Sequence, residues 1–224
     1  MTRSANTKKV IATMASKDAE ERWKLGMRYK ELHRQDLDEL MKKEFSGDFK
    51  FAMTCLAMPL DHAECYMLKK ATDGLGCKVN VIYSIMCGRT NPEIEQIKRN
   101  YFKLYTKDLG KLLASELHGD MERIVFNCMQ GGEEAFDPQF HNKEKAVEDA
   151  ELIYEKGQGK RFGTDEKSIF KVLCAAPPEH VKNINTVYAD KYGYTLMKAL
   201  EKELKGNVRD ATLHMLGMKV RITF

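Results

Sequence analysis

No apolar run in this chain approaches the roughly 20 residues that a helix needs to cross a bilayer, which excludes a helical membrane-spanning protein. The opening residues, Met1-Thr2-Arg3-Ser4-Ala5, lack the apolar stretch of a secretory signal, so a cytoplasmic location is expected. Only five prolines and 15 glycines punctuate the 224 residues, which leaves little room for long disordered tracts. The six cysteines, Cys55, Cys65, Cys77, Cys87, Cys128 and Cys174, contain no Cys-x-x-Cys pair and no zinc-like grouping with histidine. Buried free thiols in a reducing compartment are the expectation, above all for Cys87, Cys128 and Cys174, which fall in apolar stripes. Neither sign of charge dominates, since 37 Lys and Arg against 33 Asp and Glu leave a net charge of +4. That excess is too small to argue for nucleic acid, though it suits a protein that settles on an anionic surface. A nucleophile paired with a base is also missing, as is a phosphate loop. No enzymatic activity and no small-molecule substrate are therefore expected.

What the chain does have is helical periodicity and an internal repeat. Displacing it on itself so that Tyr29 falls on Tyr101, and Tyr101 on Tyr188, also superposes Leu37, Leu109 and Leu196. Glu44, Glu116 and Glu203 coincide as well, each followed three places on by a glycine (Gly47, Gly119, Gly206). The second displacement is the longer one. Its extra residues fall around Gly131 to His141, whose turn formers and charges read as a linker. The aligned tyrosines are expected in the core. His118 and His141, in turns with no ligand partner at useful spacing, are expected in solvent.

The best-preserved repeat covers residues 59–130 and reads as five short helices. Pro59 suits a helix start, and the first helix reaches to about Lys70. Val79, Ile82, Tyr83 and Met86 fall on one helical face. Asn91-Pro92 reads as an N-cap followed by a first-turn proline, opening a helix with Ile94, Ile97, Tyr101 and Leu104 inward. Leu109, Leu112 and Leu113 form the next stripe, and Met121, Ile124, Val125 and Cys128 the last. A third repeat over residues 142–217 follows the same plan after a linker at 131–141, and 218–224 read as a tail. The first repeat, residues 1–58, holds only the four later helices. The fold class expected is all-α.

One stretch organises the second repeat. In Thr72-Asp73-Gly74-Leu75-Gly76-Cys77 two glycines bracket one apolar residue at a turn, and Glu116 lies 39 positions beyond Cys77. The third repeat carries Phe162-Gly163-Thr164, and Glu203 again lies 39 positions beyond Thr164. A loop that folds its carbonyls inward, plus one carboxylate at fixed remove, is the donor set that a hard cation such as calcium takes. Plain helix termination by glycine is the competing reading of either loop alone. The identical interval favours the metal. Glu44 has no glycine loop to face it and reads as a surface carboxylate.

Five-helix repeats of this length, with Gly-x-Gly-x at the first turn and an acidic residue at that fixed remove, resemble the annexin repeat. Gly74-Leu75-Gly76-Cys77 with Glu116 and Gly163-Thr164-Asp165-Glu166 with Glu203 carry the resemblance, which extends over nearly the whole chain. It implies annexin-like repeats of five short helices, the first repeat lacking its first helix and the fourth repeat absent. It also implies Ca²⁺ held by the carbonyls of Thr72, Gly74 and Gly76 with bidentate Glu116, and by those of Gly159, Arg161 and Gly163 with Glu203. The loop of the third repeat is about one residue longer than the usual pattern, so Gly157 competes with Gly159. Leu75 and Phe162 occupy the loop tips, where the family places residues that dip into the membrane interface.

The function implied is calcium-dependent binding to anionic phospholipid membranes by a cytoplasmic, peripheral protein. A calcium-independent helical scaffold is the alternative. Cys77 stands where the family has Thr, which predicts a lost hydroxyl N-cap there and a tighter site in the third repeat, where Thr164 keeps it. The family packs its first repeat against its fourth, so with the fourth absent the resemblance implies that the first repeat exposes an apolar face with nothing to cover it. A longer parent protein, self-association and rearrangement of the short repeat each account for that.

Overall fold

The computed structural model describes residues 3–74, 76–159 and 163–221, and among them every regular element is an α-helix. The first repeat supplies α1 (Arg3–Ala15), α2 (Ala19–His33), α3 (Leu37–Glu44) and α4 (Gly47–Ala57). The second supplies α5 (Leu60–Thr72), α6 (Val79–Met86), α7 (Asn91–Tyr105), α8 (Leu109–Glu116) and α9 (Gly119–Met129). The third supplies α10 (Lys143–Lys156), α11 (Glu166–Ala175), α12 (Pro178–Tyr192), α13 (Leu196–Glu203) and α14 (Gly206–Arg221). Four, five and five helices are the numbers that the repeat pattern predicts.

The repeats agree residue by residue where their turns are tightest. Helices α2, α7 and α12 end on Arg34, Thr106 and Gly193, and all three caps are left-handed, at φ 56°, 55° and 79°. Only the third is glycine, so Arg34 and Thr106 hold a conformation that costs an L-residue about 1–2 kcal/mol. The next corner repeats as well. Helices α3, α8 and α13 close on extended Phe45, Leu117 and Leu204, and Gly47, Gly119 and Gly206 then turn through positive φ.

The chain divides into two compact bodies, residues 1–70 and 71–224. In the first, α3 and α2 pack on α4, and Met14, Leu37, Met41 and Met53 form a core lined by Val10, Leu25 and Tyr29. Helix α2 contributes no buried residue, and its Trp23 and Met27 are each 48% exposed.

In the second body α14 packs against α6, α9, α12 and α13. Gly88, just after α6, allows the close approach of α14. A Cβ there would stand 2.7 Å from His214 Nε2 and 2.9 Å from the Ser84 carbonyl, the two atoms that pair at 3.0 Å. Tyr101 and Tyr188 are buried, as expected, and Tyr29 packs partly buried on the core of the first body.

Four local expectations need correction. Leu104 is exposed, not inward. Its equivalents are exposed Leu32 and Lys191, so the position faces solvent in every repeat. Helix α7 is capped by Thr90 rather than Asn91, and Glu93 Oε2 accepts from both the Thr90 N–H and its hydroxyl, each at 2.8 Å. The Asn91 amide instead donates to the Glu133 carbonyl in the linker at 2.8 Å. The supposed tail is helical through Arg221, because α14 runs on past Gly217. His141 is 3% exposed rather than solvated. Its Nδ1 accepts from the Asp137 N–H, its Nε2 meets Glu134, and Phe136 and Phe140 flank the ring.

Candidate functional site

Each glycine loop is closed at its base by one backbone hydrogen bond. In the second repeat the Lys78 N–H donates to the Ala71 carbonyl at 2.8 Å, enclosing residues 72–77. In the third the Asp165 N–H donates to the Lys156 carbonyl at 2.8 Å, enclosing the longer stretch 157–164. Gly74, Gly76 and Gly163 take positive φ of 113°, 79° and 66°, a region open to glycine and strained for residues with a Cβ. Packing does not demand glycine there, since a Cβ on any of the three would meet nothing within 4 Å.

The distant glutamates arrive at the same loops, Glu203 by its carboxylate and Glu116 by its backbone carbonyl. Cys77 Sγ lies 3.6 Å from the Glu116 carbonyl oxygen, and the Thr164 hydroxyl donates to Glu203 Oε2 at 3.2 Å. In both repeats the residue at the end of the loop touches the residue 39 positions on. The same geometry corrects the N-cap expectation. The cap of α11 is Asp165, whose Oδ1 accepts from the Ser168 N–H at 3.3 Å. The cap of α6 is Lys78, which makes no side-chain bond. Thr164 and Cys77 each stand one residue earlier, so the hydroxyl serves the carboxylate, not the helix.

The rest of the third loop folds against its own helix. The Gly159 N–H donates to the Tyr154 carbonyl at 2.8 Å, and a Cβ on Gly159 would lie 3.1 Å from that oxygen. Buried Gly157 sits beside Glu203, whose Cγ would be 3.6 Å from a Cβ there. The Tyr194 hydroxyl donates to Gln158 Oε1, tying the start of α13 to the loop. Thr72 closes α5, while Leu75, Arg161 and Phe162 lie outside the described residues. Glu44 is exposed.

A hard cation takes oxygen donors in a flexible shell of about 6–8. Turned glycine backbones and a glutamate beside each loop fit that demand. Burial first, and then the negative charge of Glu116, push the Cys77 thiol up, so it stays a neutral thiol beside the carboxylate rather than a competing soft ligand. Among the described residues no three His, Cys, Asp or Glu side chains gather as a metal site. A shell built mainly of carbonyls does not require such a cluster.

A second polar group was invisible in the sequence. His180, 1% exposed, pairs through Nε2 with Asp149 Oδ2 at 2.8 Å, and Lys145 holds Asp149 Oδ1 at 2.7 Å. The ring of His141 lies 4.8 Å from that of His180, centroid to centroid. Periodicity marks α10 and α12 as helices but says nothing of which polar positions face each other across them.

The class defined by this fold and site is an all-helical repeat protein whose glycine loops each meet a glutamate at one fixed interval downstream of the loop. The annexin family model matches residues 3–56, 62–127 and 148–215, and the chain belongs to the annexin family. Human annexin A13 is 29% identical over 212 residues, covering 94% of this chain and 66% of that relative. The solved structure of annexin A8 superposes with a TM-score of 0.82 at 25% identity, covering 95% of this chain and 66% of that one. A calcium-bound structure of annexin (Sm)1 superposes with a TM-score of 0.75 at 23% identity, over 94% of this chain and 63% of that one. The chain thus spans just under two thirds of the length of these relatives.

Proposed function

We propose that this chain binds anionic phospholipid membranes in a calcium-dependent manner, through one site in each complete repeat. The observation that carries the reading is that each loop closes on the glutamate 39 positions on, Thr164 on the carboxylate of Glu203 and Cys77 on the backbone carbonyl of Glu116. Membership of the annexin family and the calcium-bound state of a structural relative support it. The repeats are taken as residues 1–58, 59–130 and 142–217, with 131–141 as linker.

In the second repeat the carbonyls of Thr72, Gly74 and Gly76 and the Glu116 carboxylate hold the ion. In the third the carbonyls of Gly159, Arg161 and Gly163 and the Glu203 carboxylate do so. Calcium, when bound, supplies the positive charge that links a carboxylate-bearing protein surface to an anionic headgroup. The chain's own part is to keep Glu203 aimed by the Thr164 hydroxyl, to keep the loop backbones turned by glycine, and to leave headgroup access above them. Leu75 and Phe162 add apolar area at the interface. Among the described residues no helix is long and apolar enough to cross a membrane, and the protein acts peripherally, from the cytoplasm, by binding rather than by catalysis.

Sedimentation with phosphatidylserine vesicles, with phosphatidylcholine vesicles as control, tests the reading. Pelleting that appears as calcium rises into the millimolar range and is lost on chelation is the expected result. Absence of pelleting overturns it, and pelleting indifferent to chelator points to a calcium-independent scaffold.

A further inference from the structure

Away from the loops, four sulfur atoms meet where the second and third repeats pack. Cys128 on α9 and Cys174 on α11 bring their Sγ atoms to 3.8 Å. The Sδ of Met215 on α14 stands 3.7 Å from the first and 3.6 Å from the second, and the Cys87 thiol lies against Cys128. Two of the four are copies of the other two. The displacement that carries Tyr101 onto Tyr188 also carries Cys87 onto Cys174 and Cys128 onto Met215. Lys219, only 7% exposed, is fixed beside them. Its ammonium donates to the carbonyls of Cys174 and Ala176 at 3.1 and 2.6 Å and pairs with Glu133 at 2.8 Å. A cavity of about 30 Å³ opens at the cluster, lined by Cys128, Cys174, Arg89 and Lys219 among others. A water needs roughly 10–15 Å³, so there is room for a molecule the size of hydrogen peroxide.

We propose that Cys128 and Cys174 form a hydroperoxide-sensitive dithiol in which Cys128 is oxidised first and Cys174 then closes a disulfide between α9 and α11. The Cys128 thiolate attacks one oxygen of the hydroperoxide. An S–O bond forms, the O–O bond breaks, and the alkoxide (hydroxide, for hydrogen peroxide) leaves and takes up the proton released by Cys128. Cys128 is thereby oxidised by two electrons to the sulfenic acid as the peroxide is reduced. The Cys174 sulfur next attacks the Cys128 sulfur, an S–S bond forms, the S–O bond breaks, and hydroxide departs with the Cys174 proton as water. In sum two thiols and one hydroperoxide give one disulfide, one alcohol and one water.

The surroundings suit that order of events. Hydrogen bonding from Cys174 and from Cys87, and then the charge of Lys219, hold the Cys128 thiol well below its usual range against the effect of burial. Contact with Cys128, together with burial, pushes Cys87 and Cys174 up. Cys128 is also partly exposed where Cys174 and Cys87 are buried. Burial pushes Cys55 up to about 11 and Cys65 to about 12, so these two provide internal controls. Closing the bond requires the sulfurs to move from 3.8 Å to about 2.05 Å.

The test is peptide mapping by mass spectrometry of the whole chain after graded hydrogen peroxide, with dimedone present to trap sulfenic acid and then absent. The expected result without dimedone is a Cys128–Cys174 linked peptide that forms faster than Cys55 is oxidised, by on the order of tenfold. With Cys174→Ser, the dimedone adduct should accumulate on Cys128. With Cys128→Ser, both the adduct and the cross-link should vanish. Oxidation of Met215 or Cys77 ahead of Cys128, a Cys87–Cys128 bridge, or a Cys128 no faster than Cys55 would each overturn the proposal. Mapping the unmutated chain decides the matter even where a variant fails to fold.

Discussion

Glu203 and Glu116 occupy the same place in their repeats but keep different company. The Thr164 hydroxyl donates directly to the Glu203 carboxylate, whereas the Cys77 thiol reaches only the backbone carbonyl of Glu116. A hydrogen bond to a charged group stabilises by about 1.5–3 kcal/mol, so Glu203 is held for its ion before the ion arrives. Glu203→Gln should therefore raise the calcium concentration needed for vesicle pelleting by roughly tenfold, and by more than Glu116→Gln does. The reverse ranking would remove the assigned role of Thr164. Neither substitution should alter the helical circular dichroism, because neither side chain is part of a buried core.

At the scale of the helix, the two loop-to-helix junctions differ in their caps. Asp165 accepts from Ser168 at the start of α11, while Lys78 makes no such bond at the start of α6. Asp165→Ala should lower unfolding stability by about 1 kcal/mol, and Lys78→Ala should stay within about 0.5 kcal/mol of the parent. Urea denaturation of both variants checks the difference; equal effects would contradict the cap assignment.

The helices themselves were legible in the sequence because apolar faces, cap formers and a shared displacement all marked the same spans. The cap was misplaced by one residue because Thr164 and Asp165 are both good cap formers, and local chemistry does not choose between them. His141 was misread for a different reason. Its burial depends on Glu134, Phe136 and Phe140 folding back over it within a segment that has only turn signals. That the end of each loop meets the residue 39 positions on was readable because two copies kept one interval. The sulfur cluster offered a similar clue, but a methionine stands where its copy has a cysteine, and a search for like residues passes over it.

For the molecule as a whole, both loop-and-carboxylate pairs lie in the body formed by residues 71–224. An ion bound only by the folded state stabilises it by about 2.7 kcal/mol at a hundred times its dissociation constant. For a body of this size that corresponds to a rise in Tm of roughly 5–10 °C per site. Differential scanning calorimetry should show the rise with calcium, its loss on chelation, and its absence in a chain carrying both Glu116→Gln and Glu203→Gln. A calcium shift that survives in the double variant would place the ion elsewhere.

Arg34, Thr106 and Gly193 end their helices in one backbone state with three unrelated side chains. The three repeats agree more closely in the handedness of this corner than in its chemistry. A guanidinium, a hydroxyl and a bare hydrogen all stand there, the first two at a conformational cost that the third avoids, and the chain departs in the same direction each time. Kinship among the copies is written in dihedral angles, and a comparison that weighs side-chain likeness alone undercounts it.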